Sequence, residues 1–330
     1  MAACVLAGDI GGTKTDLALY SVSAPRRLAL VREASFPSEA FGGLEEMIGS
    51  FLRGGGASLD AAAFGVPGPV LDGVAQITNL AWRVDRDVMK RAIGCERLRL
   101  MNDLETTAYG ALFLEPHELL TVNPGSPQVG NRAVIAAGTG LGQAVLFWDG
   151  TRYHASATEG GHVDFAPTDE RDVGLLLFLR RQFGRVSWER VVSGPGLHAI
   201  FRYLDEDLRR PVAPEVRERL QRDDPSAVIG TAGLGGVCST CAEAVSMFVR
   251  LYGAQAGNLA LTTMALGGVY VGGGIVTKLL PKITGGAFIE AFTAKEPHRA
   301  LMQRMPVKIL LNPRTSQWGA AHAAAEAVDL

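Results

Sequence analysis

Two carboxylates in this sequence stand where an apolar run that reads as a strand gives out. Asp103 follows Leu98 to Met101 and Asn102; Asp9 follows Val5-Leu6-Ala7 and Gly8. In layered α/β folds, residues just beyond a strand's carboxyl end gather in the crevice where ligands bind. A carboxylate placed there can take the proton of an attacking hydroxyl, the task of a base in phosphoryl transfer. The plainer reading of Asp103 is a cap for the helix that follows it. Asp9 suits Mg²⁺, held through water, because that ion keeps several waters and takes few carboxylates. Further along, Thr158-Glu159-Gly160-Gly161-His162-Val163-Asp164-Phe165 sets two carboxylates and an imidazole around paired glycines. Glu159 and His162 can grip adjacent sugar hydroxyls through charge-assisted hydrogen bonds. A polar loop with a satisfied histidine is the bland alternative, and metal ligation a third.

Three glycine turns, each after a strand, could serve these carboxylates. They are Asp9-Ile-Gly11-Gly12-Thr13-Lys14, Gly138-Thr139-Gly140-Leu-Gly142 and Gly272-Gly273-Gly274. Glycine lets backbone N–H groups approach phosphate oxygens closely and cradle an anion. A single such turn is usually just a turn; three in one chain, with Asp, Thr and Lys inside the first, point to phosphate. Neither the Walker A order nor the dinucleotide fingerprint fits, so the cradle must be a β-hairpin.

The elements that must carry these residues alternate. Strand, glycine turn, strand occurs twice, at 5–20 and at 133–148, which predicts two domains of related design. Between them the pattern predicts a helix over 44–52, a buried strand over 61–66 and a hairpin turning at Asp72-Gly73. A helix over 86–93 follows, capped by Asp85 and ended by Gly94, and then the strand into Asn102 and a helix over 104–113 joining the halves. The second half predicts helices over 173–183, 197–208, 213–221 and 241–266, a strand over 269–271 and a terminal helix over 317–328. Alternating strands and helices argue for α/β layers. The long 241–266 helix suits the core of the larger domain better than a homodimer interface, the other use for its apolar face.

A chain of 330 residues exceeds the usual single domain, and 40 glycines are well above the common share. A net charge of −2 offers no electrostatic case for nucleic acid or an anionic membrane. The apolar run near 259–271 is too short to span a bilayer. Four cysteines are too few for a disulfide scaffold, and Cys238-Ser-Thr-Cys241 is half a zinc site at most. With no charged and apolar leader at its start, the chain is expected in the cytoplasm.

The motifs Asp9-Ile-Gly-Gly-Thr-Lys14, Leu100-Met-Asn-Asp103, Ala137-Gly-Thr-Gly-Leu-Gly142, Glu159-Gly-Gly-His-Val-Asp-Phe-Ala-Pro167, Ser193-Gly-Pro-Gly196 and Gly272-Gly-Gly274, in this order, resemble the bacterial glucokinases. That family sits in the sugar kinase, actin and Hsp70 superfamily. The resemblance implies an actin-like ATPase fold: two ribonuclease-H-like α/β domains flanking an interdomain cleft. Residues 1–108 with 315–330 would form the small domain and 109–314 the large one. It also implies that Asp103 is the base, and that Asn79, Asn102, Glu159, His162 and Glu189 bind glucose beside it. Gly11, Gly12 and Thr13, with Lys14, and Gly138, Thr139 and Gly140 would face the phosphates of ATP, and Gly273 and Gly274 the adenosine. A sister branch carries a cysteine-rich zinc motif soon after its histidine. Residues 164–181 hold no cysteine, which leaves His162 for sugar.

The mechanism so implied has glucose bound, water excluded, Mg²⁺ bridging the β- and γ-phosphates of ATP, and Asp103 deprotonating the C6 hydroxyl. A kinase for another hexose or an N-acetylhexosamine, or a sugar sensor without activity, are the rival readings. Intact Asp103, and no helix-turn-helix ahead of Asp9, weigh against the sensor. Polyphosphate is the rival donor.

Overall fold

The computed structural model describes residues 2–24, 27–53, 58–77 and 80–328. In chain order the elements are β1 (Ala3–Ile10), β2 (Lys14–Ser23), β3 (Arg27–Pro37), α1 (Leu44–Leu52), β4 (Ala61–Val66), β5 (Val70–Leu71), β6 (Val74–Gln76), β7 (Arg83–Asp85), α2 (Arg86–Ile93), β8 (Leu98–Asn102) and α3 (Asp103–Gly110). Then come β9 (Leu119–Asn123), β10 (Arg132–Ala137), β11 (Leu141–Trp148), β12 (Tyr153–Thr158), α4 (Glu170–Phe183), α5 (Gly194–Arg202), α6 (Pro214–Leu220), α7 (Pro225–Leu234) and α8 (Ser239–Thr263). The chain closes with β13 (Gly268–Gly272), α9 (Gly274–Lys278), α10 (Leu280–Ile283), α11 (Ala287–Thr293), α12 (Arg299–Arg304), β14 (Val307–Leu310) and α13 (Thr315–Glu326). Two compact units emerge. One holds Met1–Glu118, Ala144–Ala157 and Asn312–Leu330, the other Leu119–Gln143 and Thr158–Leu311.

The first unit is built on a sheet of order β3-β2-β1-β4-β8. β1 runs antiparallel to β2 and parallel to β4, and β4 parallel to β8. Side chains alternate across a strand, so β1 divides its apolar residues between two cores. Leu6 and Ile10 face Leu44, Met47, Ile48 and Phe51 of α1, while Val5 and Ala7 face the alanines of α13. Both sheet faces are therefore covered, which is why β4 reads Ala-Ala-Ala-Phe-Gly-Val and is buried throughout.

Alanine-rich α13 has no bulk to hold neighbours away, and glycines let it approach α3 closely. A Cβ on Gly319 would fall 1.9 Å from the Thr106 carbonyl oxygen, and one on Gly110 would fall 2.0 Å from that of Thr315. Turn chemistry follows expectation nearby. Asp72 and Gly73 both take positive φ (52° and 80°) between β5 and β6, as a type I′ hairpin demands. Asp85 accepts from the N–H groups of Asp87 and Val88 to start α2, and left-handed Gly94 ends it.

In the second unit β10, β13, β14 and β9 lie side by side in that order. β10, β13 and β14 are parallel and β9 is antiparallel to β14. Sequence patterning missed β3, β7, β9, β12, β14, α7 and α10 to α12, and it ran α5 through to 208 where a π turn at Tyr203–Asp207 intervenes. Most of α8 is buried inside this unit, packed on α7 and α11, so its apolarity is explained within one chain. No single helix among the described residues is long and apolar enough to cross a membrane.

Candidate active site

In the first unit the loop from β1 to β2 is short, and it is clamped from outside. The Gly11 N–H donates to the Lys14 carbonyl at 2.9 Å, and a Cβ on Gly11 would sit 2.5 Å from that oxygen. Ser38 holds the other side: its N–H donates to the Thr13 carbonyl and its hydroxyl to the Gly11 carbonyl at 2.7 Å, while Thr15 bonds the same hydroxyl at 2.9 Å. The turn is thereby shaped without using its own side chains. Thr13 and Lys14 stay exposed, Lys14 pairing with Asp16 at 2.9 Å. Asp9 accepts the Ser316 hydroxyl at 2.8 Å. Burial pushes its carboxyl above the usual range, with the Ser316 hydrogen bond opposing and Asp16 adding to the rise.

The capping question at α3 has a definite answer. Asn102, not Asp103, is the N-cap: its Oδ1 accepts from the N–H groups of Leu104 at 2.9 Å and Glu105 at 3.3 Å. Its Nδ2 donates to the Gly68 carbonyl at 3.0 Å, tying the Pro67-Gly68-Pro69 turn to the end of β8. Asp103 is thus the first helical residue, and its own carboxylate also accepts the Leu104 N–H at 2.9 Å. The positive end of α3 favours a negative charge at that position. Asn79 lies outside the described residues.

In the second unit three separated residues converge. The two glycines of Glu159-Gly-Gly-His162 are required by contact: a Cβ on Gly161 would meet the Leu141 carbonyl at 1.9 Å, and one on Gly160 the Gln143 amide at 2.3 Å. Val163 and Phe165 then pair antiparallel with 186–188 through the bonds Trp188 N–H to Val163 and Phe165 N–H to Val186, each 3.0 Å. That pairing delivers Glu189 to the histidine. His162 Nε2 lies 3.8 Å from Glu159 Oε2, and His162 Nδ1 lies 3.9 Å from Glu189 Oε1. These are ion-pair separations, longer than hydrogen bonds, around an imidazole that is 56% exposed. Two carboxylates and an imidazole together offer acceptors and donors suited to several hydroxyls.

Glu189 is fixed at both ends. Its Oε2 accepts the Leu141 N–H at 2.9 Å, and the Ser193 hydroxyl donates to its carbonyl at 2.7 Å while capping α5. The same α5 start reaches the glycine turn after β10, since the Gly194 N–H donates to the Gly138 carbonyl at 2.8 Å. Beside that turn lies the one after β13, because β10 and β13 are parallel neighbours with Ala136 opposite Gly272. Gly273 takes φ 92°, and a Cβ there would fall 2.1 Å from the Ala137 carbonyl. Only glycine lets these two turns touch.

Sequence reasoning missed several residues that shape these places. The buried Tyr252 hydroxyl on α8 accepts the Ala137 N–H and faces the carbonyls of Ile135 and Gly272, each at 3.1 Å, lacing the ends of β10 and β13. Arg185 donates to the His162 carbonyl at 2.6 Å and to Asp164 at 2.7 Å. Neither position carried a local signal, because each acts on a residue distant in the chain. Cys238 caps α8, its sulfur accepting the Cys241 N–H at 3.4 Å, and both cysteines are buried. No cluster of His, Cys, Asp and Glu among the described residues is arranged to hold a metal by itself.

A family model described as Glucokinase matches residues 6–327. The chain belongs to the glucokinase family. The glucokinase of Nostoc punctiforme is 37% identical over 336 residues, spanning 97% of this chain and 98% of that protein. Among solved structures, glucokinase from an Antarctic psychrotroph aligns with a TM-score of 0.85 at 28% identity, covering 98% of this chain and 99% of that one. A glucokinase of the ROK family from Streptomyces griseus, in complex with glucose and AMPPNP, shares the fold at a TM-score of 0.63 and 21% identity over 98% of this chain and 100% of the other. The fold is the α/β, actin-like one that the glucokinase family shares with the ROK sugar kinases.

Proposed function

We propose that this protein is an ATP-dependent glucokinase, transferring the γ-phosphoryl group of ATP to the C6 hydroxyl of glucose. The observation that carries the reading is the convergence of Glu159, His162 and Glu189 in a chain matched to the glucokinase family over nearly its whole length. Their carboxylates and imidazole accept and donate to the sugar's hydroxyls. Asp103 takes the proton of the attacking hydroxyl; it is the first residue of α3, the end of a helix at which a negative charge is favoured. Asn102 acts beside it chiefly by holding the strand end and the helix start, since both ends of its amide are engaged. Asn79 completes the sugar contacts. The backbone of Gly11 to Thr13, with Lys14, and of Gly138 to Gly140 meets the phosphates, and Gly273 and Gly274 the adenosine.

Asp9 is the residue that would hold Mg²⁺ through water. One carboxylate with a hard oxygen donor fits an ion that takes few protein ligands and completes its shell with water and phosphate. When bound, that ion neutralises charge on the β- and γ-phosphates. We assign the small, base-bearing domain to residues 1–108 with 315–330 and the large, sugar-binding one to 109–314. Four free cysteines suit a reducing cytoplasm.

A coupled ADP-release assay with glucose, fructose, mannose and N-acetylglucosamine, repeated with polyphosphate as donor, tests the proposal. Glucose with ATP should give the highest kcat/KM. Preference for another sugar, or turnover only with polyphosphate, would overturn it.

A further inference from the structure

Beneath Asp9, at the carboxyl end of the first unit's sheet, two buried hydroxyls from opposite ends of the sequence touch. Ser316 Oγ on α13 lies 2.8 Å from Thr106 Oγ1 on α3. Ser316 also reaches Asp9 Oδ1 at 2.8 Å, and Thr106 reaches the Asp103 carbonyl at 2.8 Å. Thr106 is fully buried and Ser316 is 8% exposed. Two contacts therefore run from the Asp9 carboxylate through Ser316 to Thr106 in the first turn of α3, the helix that Asp103 begins.

The surrounding fold makes room for this path. Gly65 on β4 stands between Asp9 on β1 and Met101 on β8 in the sheet register. A Cβ there would lie 2.5 Å from Thr106 Oγ1 and 3.3 Å from Ser316 Oγ. Gly110 and Gly319 bring α3 and α13 close enough for the two hydroxyls to meet. Three glycines on three elements thus converge on one pair of hydroxyls.

Counting hydrogens orders the path. Each hydroxyl has one to give. With Asp9 ionised, the Ser316 hydrogen goes to Oδ1, which leaves the Ser316 oxygen to accept from Thr106. The Asp103 carbonyl does not depend on Thr106 in that arrangement, because the Thr107 hydroxyl donates to it at 2.8 Å. Donors then run in one direction, from α3 through α13 to Asp9.

We propose that Ser316 and Thr106 are positioning residues for phosphoryl transfer: their hydroxyls aim the Asp9 carboxylate at the metal–phosphate group and lock it in register with the start of α3, where Asp103 sits. The inference rests on the roles assigned above to Asp9 and Asp103. Outer-shell partners of this kind are worth about 10–100-fold in metal affinity or activity.

The test measures MgADP, metal-free ADP and glucose binding by calorimetry in the full-length protein, with turnover and melting temperature alongside. Ser316→Ala and Thr106→Val should each weaken MgADP binding and lower kcat about 10-fold or more, leaving glucose and metal-free ADP affinity within about twofold, and Thr106→Ser should restore both. Should Thr106→Val not fold, Ser316→Ala decides alone. MgADP affinity within about twofold of wild type in Ser316→Ala overturns the proposal. So does a parallel loss of MgADP and glucose affinity that tracks the melting temperature, the mark of a merely structural role. Asp103→Asn separates the premises: if it keeps wild-type turnover, the base assignment fails, whatever the hydroxyl variants do.

Discussion

Glu189 Oε2 accepts the backbone N–H of Leu141 at 2.9 Å, so a carboxylate of the cluster proposed to bind sugar is anchored on the glycine turn proposed to meet phosphate. A Cβ on Gly140 would lie 2.7 Å from that same oxygen. If the assignments hold, Gly140→Ala should therefore behave as a sugar-site mutation although it lies in the turn proposed for phosphate. Steady-state kinetics should show KM for glucose rising more than KM for ATP, as also for Glu189→Gln. An ATP-selective defect in both would mean the anchor is irrelevant to the sugar.

Asp103→Asn removes the proposed base but keeps the helix start, because Asn102 supplies the cap. We expect kcat to fall by about 10²-fold or more while the protein folds and glucose binding largely survives. Tryptophan fluorescence titration with glucose, beside turnover, checks the split.

Tyr252→Phe deletes one hydroxyl and strands the Ala137 N–H in a buried setting. The loss should cost about 1–3 kcal/mol in chemical denaturation, the penalty of an unsatisfied buried polar group. KM for ATP should rise more than KM for glucose, since the hydroxyl laces the two strand ends that carry the turns at Gly138 and Gly273.

His322 on α13 stacks on Phe113 at 3.6 Å between centroids and meets the edge of Trp318. Burial lowers its pKa from 6.5 to about 4. The folded state thus favours the neutral ring, and its contribution to stability is complete above pH 6.5 and lost as pH falls toward 4. The melting temperature should drop between pH 7 and pH 5, and His322→Phe should flatten that slope.

Local chemistry was legible wherever it is written in adjacent residues. The Asp85 cap with Gly94 stop, the Asp72-Gly73 turn, the α1 helix and the buried β4 strand follow from side-chain periodicity and backbone preference, which act over a few residues. The motif order also sufficed to mark the family. Long-range partners were not legible. Asn102 caps α3, with Asp103 one position inside it, and its amide also reaches the distant Gly68 carbonyl. The meeting of Glu189 with His162 depends on the pairing of 163–165 with 186–188, and that of Ser316 with Thr106 on two glycines that let α13 lie against α3. Sequence alone named Asp9, Asp103, Glu159, His162 and the glycine turns from residue type and near neighbours, which determine what a group can do, and Glu189 only through the family resemblance. Which groups hold one another in place was decided by tertiary packing, since hydrogen bonds and close contacts act over a few ångströms of space however far apart their partners stand in the chain.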